Sequence, residues 1–362
     1  MRSGYRRNIG TGIQNVIGTY YSVSGCNTSV SEEIVIPSYV YGLPVKKVSS
    51  EAFTGKTDLE RLVIGNGISE LGYGMCYGCT ALKEVAFPDT LCEIGLSAFE
   101  GCSSLTSVRL GGNVKELGSA AFKDCTALKS VSAVRSFERV GSSVLDNTPY
   151  AQAPENWQNN ALMLGGFVLE LRGDTQGDYI FADDVMGTAT HAVYARELTS
   201  ITFPREFRYF SPWSISATAQ NFTMHVAEGN KYLEVRGGCL IEKEDKRLLY
   251  MTEEAKIPDD GSVCILGEDS VLYDQGESFI LPDSVTRIET YALNLFDTVT
   301  LSVGNGLVFL DVTALSGCIS LKNIVFRGTI AQWREVELAG YNILGPLMPV
   351  ETVICTDGTI AF

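Results

Sequence analysis

Cys76-Tyr-Gly-Cys79 sets two thiols at the spacing of a redox pair or of half a tetrahedral zinc site. No second Cys-x-x-Cys follows that would complete the metal site. Cys76 stands midway between Phe53 and Phe99, so it occupies a recurrent aromatic position. Cys79 shares a different recurrent position with Cys102 and Cys125, and Cys318 is their later counterpart. Such positions read as core, where a free cysteine behaves as a small hydrophobe. The expectation is buried structural thiols. The only histidines, His191 and His225, lie far apart and outside any nucleophile or metal motif. His225, between Met224 and Val226, sits where a strand turns a polar residue outward. There is no Gly-x-Ser-x-Gly elbow, phosphate loop or EF-hand, so the reading is a non-enzyme with no metal and no cofactor. Arg172-Gly173-Asp174, the tripeptide read by integrins, falls in a predicted hairpin turn that would expose it. Turn chemistry alone also accounts for Gly and Asp there. Asn27-Thr-Ser29 and Asn221-Phe-Thr223 have the N-glycosylation acceptor pattern.

The elements that position these residues follow from a repeat. Ala52-Phe53, Met75-Cys76, Ala98-Phe99, Ala121-Phe122 and Val144-Leu145 recur with a constant 23-residue step. Leu59, Leu82, Leu105 and Leu128 do the same, as do Val48, Leu71, Ile94, Leu117 and Val140. Gly72, Gly95, Gly118 and Gly141 directly follow the last four of these. Four independent columns in one register identify a repeat protein.

One unit reads physically from Leu105. The L-x-x-V-x-L spacing of Leu105, Val108 and Leu110 predicts a short strand with one buried face. Val114-Lys-Glu-Leu117 predicts a second extended piece, and Ser119-Ala-Ala-Phe122 a tight helical or 3-10 turn that drops Phe122 into the core. The column at 55, 78, 101, 124 and 147 reads Gly, Gly, Gly, Asp, Asn, residues that tolerate positive φ, so a left-handed turn is expected there. A single unit cannot bury its apolar face, whereas stacked units share a continuous core with strands about 4.8 Å apart.

Leu82-Lys-Glu-Val-Ala-Phe-Pro88, Leu91-Cys-Glu-Ile-Gly95 and Ala98-Phe99-Glu-Gly-Cys102 together resemble the BspA-like leucine-rich repeats of bacterial surface proteins. Glu33-Ile-Val-Ile-Pro37 with Gly42-Leu-Pro-Val45 resembles the opening of that family's first repeat. Phe326 to Trp333 and Val353 to Gly358 resemble its closing segment. The fold class expected is a leucine-rich-repeat solenoid, a curved right-handed superhelix, mostly β with short 3-10 or helical turns. Its expected organisation is a single domain over residues 1–362. Within it lie an N-terminal cap (1–44), regular repeats (45–146), irregular repeats with hairpin insertions (147–280), further repeats (281–326) and a C-terminal cap (327–362). The predicted hairpins join Gly166–Leu171 to Tyr179–Phe181, and Cys239–Ile241 to Leu248–Tyr250. Leu198-Thr-Ser-Ile201-Thr-Phe203 keeps the strand signature within the irregular stretch, and its aromatics (Tyr194, Phe203, Phe207, Tyr209, Phe210, Trp213) read as core.

Composition narrows the function. With 43 acidic against 28 basic residues, the net charge of −15 repels phosphate backbones, and nucleic acid is excluded as a partner. No apolar run approaches the roughly 18 residues of a membrane span. Residues 8–20 are interrupted by Asn8, Gly10, Gly12, Gln14 and Asn15 and do not read as a secretory leader. What remains is surface. In the L-x-x-V-x-L strands the second and fourth positions after the leucine point away from the core. This gives Arg61 with Val63, Glu84 with Ala86, Ser107 with Arg109, Ser130 with Ser132, and Asn323 with Val325. The candidate ligand-binding residues are therefore Arg61, Glu84, Ser107, Arg109, Ser130 and Asn323, with Arg172, Gly173 and Asp174 as a candidate adhesive tripeptide. The resemblance implies non-catalytic protein binding: a surface or secreted protein of a host-associated bacterium that attaches to host matrix or epithelial proteins. The alternative is an intracellular or periplasmic scaffold with a bacterial partner, for which a cytoplasmic location stays open.

Overall fold

The computed structural model describes residues 13–17, 20–25, 32–211, 213–216, 219, 221–273, 276–295, 297–340 and 350–362. The Asn27 sequon lies outside them. The chain divides into two compact units. The first comprises residues 1–173, 186–194 and 214–216, and the second comprises 174–185, 195–213 and 217–362.

Each coil of the first unit builds three ladders. The front ladder is parallel and joins Glu33–Ile36, Arg61–Ile64 and Glu84–Ala86, and then Ser107–Arg109 with Ser130–Ser132. A side ladder runs through Leu43–Val48, Glu70–Leu71, Glu93–Ile94, Glu116–Leu117 and Arg139–Val140, again parallel. In it Val48, Leu71, Ile94, Leu117 and Val140 are in register and buried, as their regular recurrence requires. The third ladder lies in the tight turns. The N–H groups of Ser97, Phe99 and Gly101 donate to the carbonyls of Ser119, Ala121 and Lys123 on the next rung, at 2.8 to 2.9 Å. The other rungs repeat this, for example Glu51, Phe53 and Gly55 onto Tyr73, Met75 and Tyr77.

Two columns of positive φ flank that third ladder. The expected column holds, with Gly55, Gly78, Gly101, Asp124 and Asn147 between +57° and +74°. A second runs through Glu51, Gly74, Ser97, Ala120 and Ser143, between +53° and +59°. The glycine column of residues 72, 95, 118 and 141 has another cause, close packing of successive turns. A Cβ on Gly118 would fall against the Leu96 backbone nitrogen, closer than real side chains reach. The core between ladders is filled by Phe53, Phe99 and Phe122, all fully buried, with Phe99 and Phe122 stacked at 5.4 Å. Burial of each such ring contributes about 2–3 kcal/mol.

The hairpin expected between Gly166–Leu171 and Tyr179–Phe181 does not form. Phe167–Leu171 pairs antiparallel with the preceding strand, Ala161–Leu164, and Gln176–Ile180 pairs in parallel with Glu197–Phe203. The physical reason is Gly165-Gly166. With φ of +57° and +86°, it is the two-residue turn whose twist suits a hairpin. The polar segment 172–175 merely connects strands of different sheets.

In the second unit the predicted hairpin Cys239–Glu242 to Arg247–Met251 is present, and Leu233–Arg236 adds a third antiparallel strand. Arg247–Met251 then starts a parallel side ladder through Ile265–Leu266, Arg287–Ile288, Phe309–Asp311 and Glu337–Ala339. Its front ladder runs Ser278–Ile280, Thr300–Val303, Asn323–Phe326 and Thr352–Cys355, closed by antiparallel Gly358–Ala361. A shorter front sheet joins Gln176–Ile180, Glu197–Phe203 and Thr223–Val226. In it Ile201 lies opposite Met224 and Phe203 opposite Val226, the same step as in the regular repeats. Phe203 and Phe207 are buried as expected, but Tyr194 of the first unit is half exposed. It is the outward residue of Val193–Tyr194, whose partner Val193 faces the core.

Candidate binding surface

The front ladders place the predicted surface residues. In Arg61–Ile64 the inward Leu62 and Ile64 are buried, which turns Arg61 and Val63 outward. Glu33, Arg61 and Glu84 are in register on successive strands. Arg61 is paired with Glu33, and its Nε donates to Glu84 at 3.3 Å. All three are exposed, so the pairs order the face more than they stabilise it. Ser107 is in register with Ser130, and Arg109 with Ser132, all exposed. Asn323 belongs to the second unit, where it is half-buried, and its Oδ1 accepts the Thr352 hydroxyl proton at 2.7 Å.

Of that second face the sequence reading found only Asn323 and Val325. Ile280, Ser302, Val325 and Ile354 form one in-register column, and Ser278, Thr300, Asn323 and Thr352 form the next. Ile280 is 68% exposed. The available signal was the inward column opposite it, Phe279, Leu301, Ile324 and Val353, every one buried.

The cysteine column is core. The thiols of Cys79, Cys102 and Cys125 donate to the carbonyls of Phe53, Cys76 and Phe99 on the preceding rung, at 3.1, 3.3 and 3.1 Å. Cys318 repeats the contact with Leu293 at 3.7 Å. Burial pushes the Cys76 thiol far up, away from the thiolate that redox or zinc chemistry needs. Among the described residues, no three His, Cys, Asp or Glu side chains come together where they could hold a metal ion.

His191 is exposed at a positive φ of 58°. It follows the ladder residue Thr188 at the same offset as Glu51 follows Val48. His225 is exposed on the front face of the second unit, with Nε2 3.4 Å from the Thr223 hydroxyl. Ser200 and Thr199 on the neighbouring strand donate to Asp178 at 2.7 and 3.0 Å and hold its carboxyl below the usual range. Beside His225 an open groove of about 450 Å³ runs past Glu228, Glu234 and Lys243.

The tripeptide residues Arg172, Gly173 and Asp174 are all exposed. Arg172 is engaged, its guanidinium lying 4.3 Å from the centre of the Trp157 ring and its backbone N–H donating to the Asn160 carbonyl.

The family description "BspA type Leucine rich repeat region" matches in six copies, over residues 46–155 and 267–343, just over half of the chain. The chain belongs to the BspA-type leucine-rich repeat family. It is similar to a leucine-rich cell surface protein from Faecalibacterium prausnitzii A2-165, at 16% identity over 94% of this chain and 99% of that one, TM-score 0.34. A leucine-rich repeat protein from Bacteroides ovatus ATCC 8483 aligns at 18% identity over 92% of this chain and 97% of that one, TM-score 0.35. The T. pallidum leucine-rich repeat protein aligns at 18% over 59% of this chain and 81% of that one, TM-score 0.33. No curated protein matches. BspA-type repeats are protein-interaction modules. Among the described residues no helix is long and apolar enough to cross a membrane.

Proposed function

We propose that this BspA-type chain is a non-catalytic adhesion module, displayed on or secreted from a host-associated bacterium, that binds host matrix or epithelial proteins. The observation that carries the reading is the front ladder of the first unit. There Glu33, Arg61 and Glu84 are held in register beside Ser107, Arg109 and Ser130 on an open sheet face. Regular strands hold such residues at fixed spacing before a partner arrives, which lowers the ordering cost of association. The expected outcome is binding of the folded chain to at least one purified matrix or epithelial protein at micromolar or better affinity. Arg61→Glu with Arg109→Glu weakens it about tenfold or more, as loss of interface arginines does. Uniformly blank binding across the panel, with the protein folded by circular dichroism, overturns the reading. In the same assay, Asp174→Glu reports whether the tripeptide contributes.

A second reading is favoured by one observation: all nine described cysteines are free, a pattern more usual in reducing compartments. It makes the chain a scaffold for a bacterial protein, and of the intracellular and periplasmic alternatives the free thiols favour the intracellular one, the periplasm being oxidising. Purified bacterial candidates presented beside the host panel separate the two.

A further inference from the structure

Asn-Gly is the dipeptide most prone to spontaneous deamidation, because glycine leaves its own backbone nitrogen unhindered. It occurs twice, at Asn66-Gly67 and Asn305-Gly306. Both stand in the turn after a front strand, Arg61–Ile64 and Thr300–Val303 respectively. Both asparagines are exposed. The repeat even supplies the same neighbour one step further along, Thr90 after Gly67 and Thr329 after Gly306. The strands confirm that equivalence in space, with Val63 opposite Ala86 and Val303 opposite Phe326.

The two threonines do different things. Thr90 Oγ1 accepts the Gly67 N–H at 2.9 Å and donates to the Ile68 carbonyl at 2.8 Å, clamping the turn. Thr329 is the N-cap of the short helix Ile330–Trp333. Its Oγ1 accepts the Gln332 N–H at 3.2 Å, and the Thr329 backbone N–H donates to Gln332 Oε1 at 2.9 Å, completing a capping box. The hydroxyl that protects one glycine nitrogen is committed elsewhere at the other, and the Gly306 N–H has no hydrogen-bond partner among the described residues.

We propose that Asn305 is a self-modification site, and that Thr90 protects Asn66, whose glycine also differs in standing at a φ of +95°. The Gly306 nitrogen attacks Asn305 Cγ. The N–Cγ bond forms, the Cγ–Nδ2 bond breaks, the glycine amide proton passes to solvent base, and Nδ2 leaves as ammonia. Water then opens the five-membered imide to aspartate or isoaspartate, adding one negative charge. In the isoaspartyl product one further carbon enters the main chain of the turn. The preceding Gly304 packs on the Asp283–Arg327 pair, a Cβ there falling 2.8 Å from Asp283 Oδ1 and 3.5 Å from an Arg327 nitrogen. Arg327 also donates to Ser302 Oγ and to the Leu281 carbonyl, each at 2.7 Å. The new anion therefore arises next to the glycine that packs on this arginine, which ties three successive rungs of the second front ladder together.

The test is a time course of the folded full chain in mildly alkaline buffer, with the amide-to-acid mass change read site by site after digestion. Asn305 converts about fivefold faster than Asn66, the factor given by one net hydrogen bond of about 1 kcal/mol. In denaturant the two rates converge. Thr90→Val raises the Asn66 rate about fivefold, the loss of that one hydrogen bond, while Thr90→Ser keeps Asn66 slow. Equal rates at the two sites in the folded chain, or an Asn66 rate unmoved by Thr90→Val, overturns the proposal.

Discussion

Small chemical choices at equivalent positions separate the rungs of this protein. The position four places after each side-ladder residue is an apolar core site, Ala52, Ala98, Ala121 and Ala292 in most rungs and Met75 or Val144 in others, all buried. Ser270 stands at the same site, fully buried, and its hydroxyl has no hydrogen-bond partner among the described residues. A buried hydroxyl without a partner forfeits its hydration for nothing. Ser270→Ala therefore raises stability by about 1 kcal/mol, measured as a shift in the urea midpoint at unchanged slope. The cysteine column is the opposite case. Its thiols satisfy carbonyls of the preceding rung, so polarity there is matched.

At the scale of the element, the parallel register that aligns the core also aligns charges. Lys47, Glu70, Glu93, Glu116 and Arg139 are direct neighbours along the side ladder of the first unit. Lys47 pairs with Glu70, which leaves Glu93 between two carboxylates. Burial, then Glu70 and Glu116, raise its carboxyl above the usual 4.5, against the pull of Lys47 and Arg139. A raised pKa means that the fold holds the proton more tightly than the unfolded chain does. That stability is fully present below the ordinary carboxylate range and is lost as pH rises through the raised value. Stability should thus fall between mildly acidic and neutral pH. Glu93→Gln should remove most of that slope and add about 0.5 kcal/mol at neutral pH, the size of a relieved like-charge cross-strand pair. Denaturation midpoints of the two proteins across that pH range check it; parallel curves would assign the slope to other groups.

For the molecule, the decisive property is addition. Among the described residues, the regular rungs of the first unit hydrogen-bond to their neighbours through three ladders, so stability is a sum of units and interfaces. Excising residues 95–117 joins Ile94 to Gly118 and keeps every column in register. The shortened chain is expected to retain the β-type circular dichroism spectrum and a cooperative transition at lower denaturant. Excision of half a step, which places the apolar columns out of register, is expected to abolish folding.

The constant repeat step, the inward columns, the turn glycines, the buried thiols and the outward Arg61, Ser107 and Arg109 were legible in the sequence, because recurrence at fixed spacing exposes side-chain burial directly. The left-handed column through Glu51, Ser97, Ala120 and Ser143 was not legible, since those residue types do not advertise positive φ. What imposes it is the third ladder, which must aim every second N–H at the next rung. The misplaced hairpin fell to a competition between two turns, decided by which strand found its partner. The two Asn-Gly turns share sequence and repeat position, yet Gly67 stands at a φ of +95° under the Thr90 hydroxyl, and Gly306 has neither feature. Periodic burial is written one residue at a time. Hydrogen-bond partnership depends on which group one rung away is already occupied, and only the folded chain settles that.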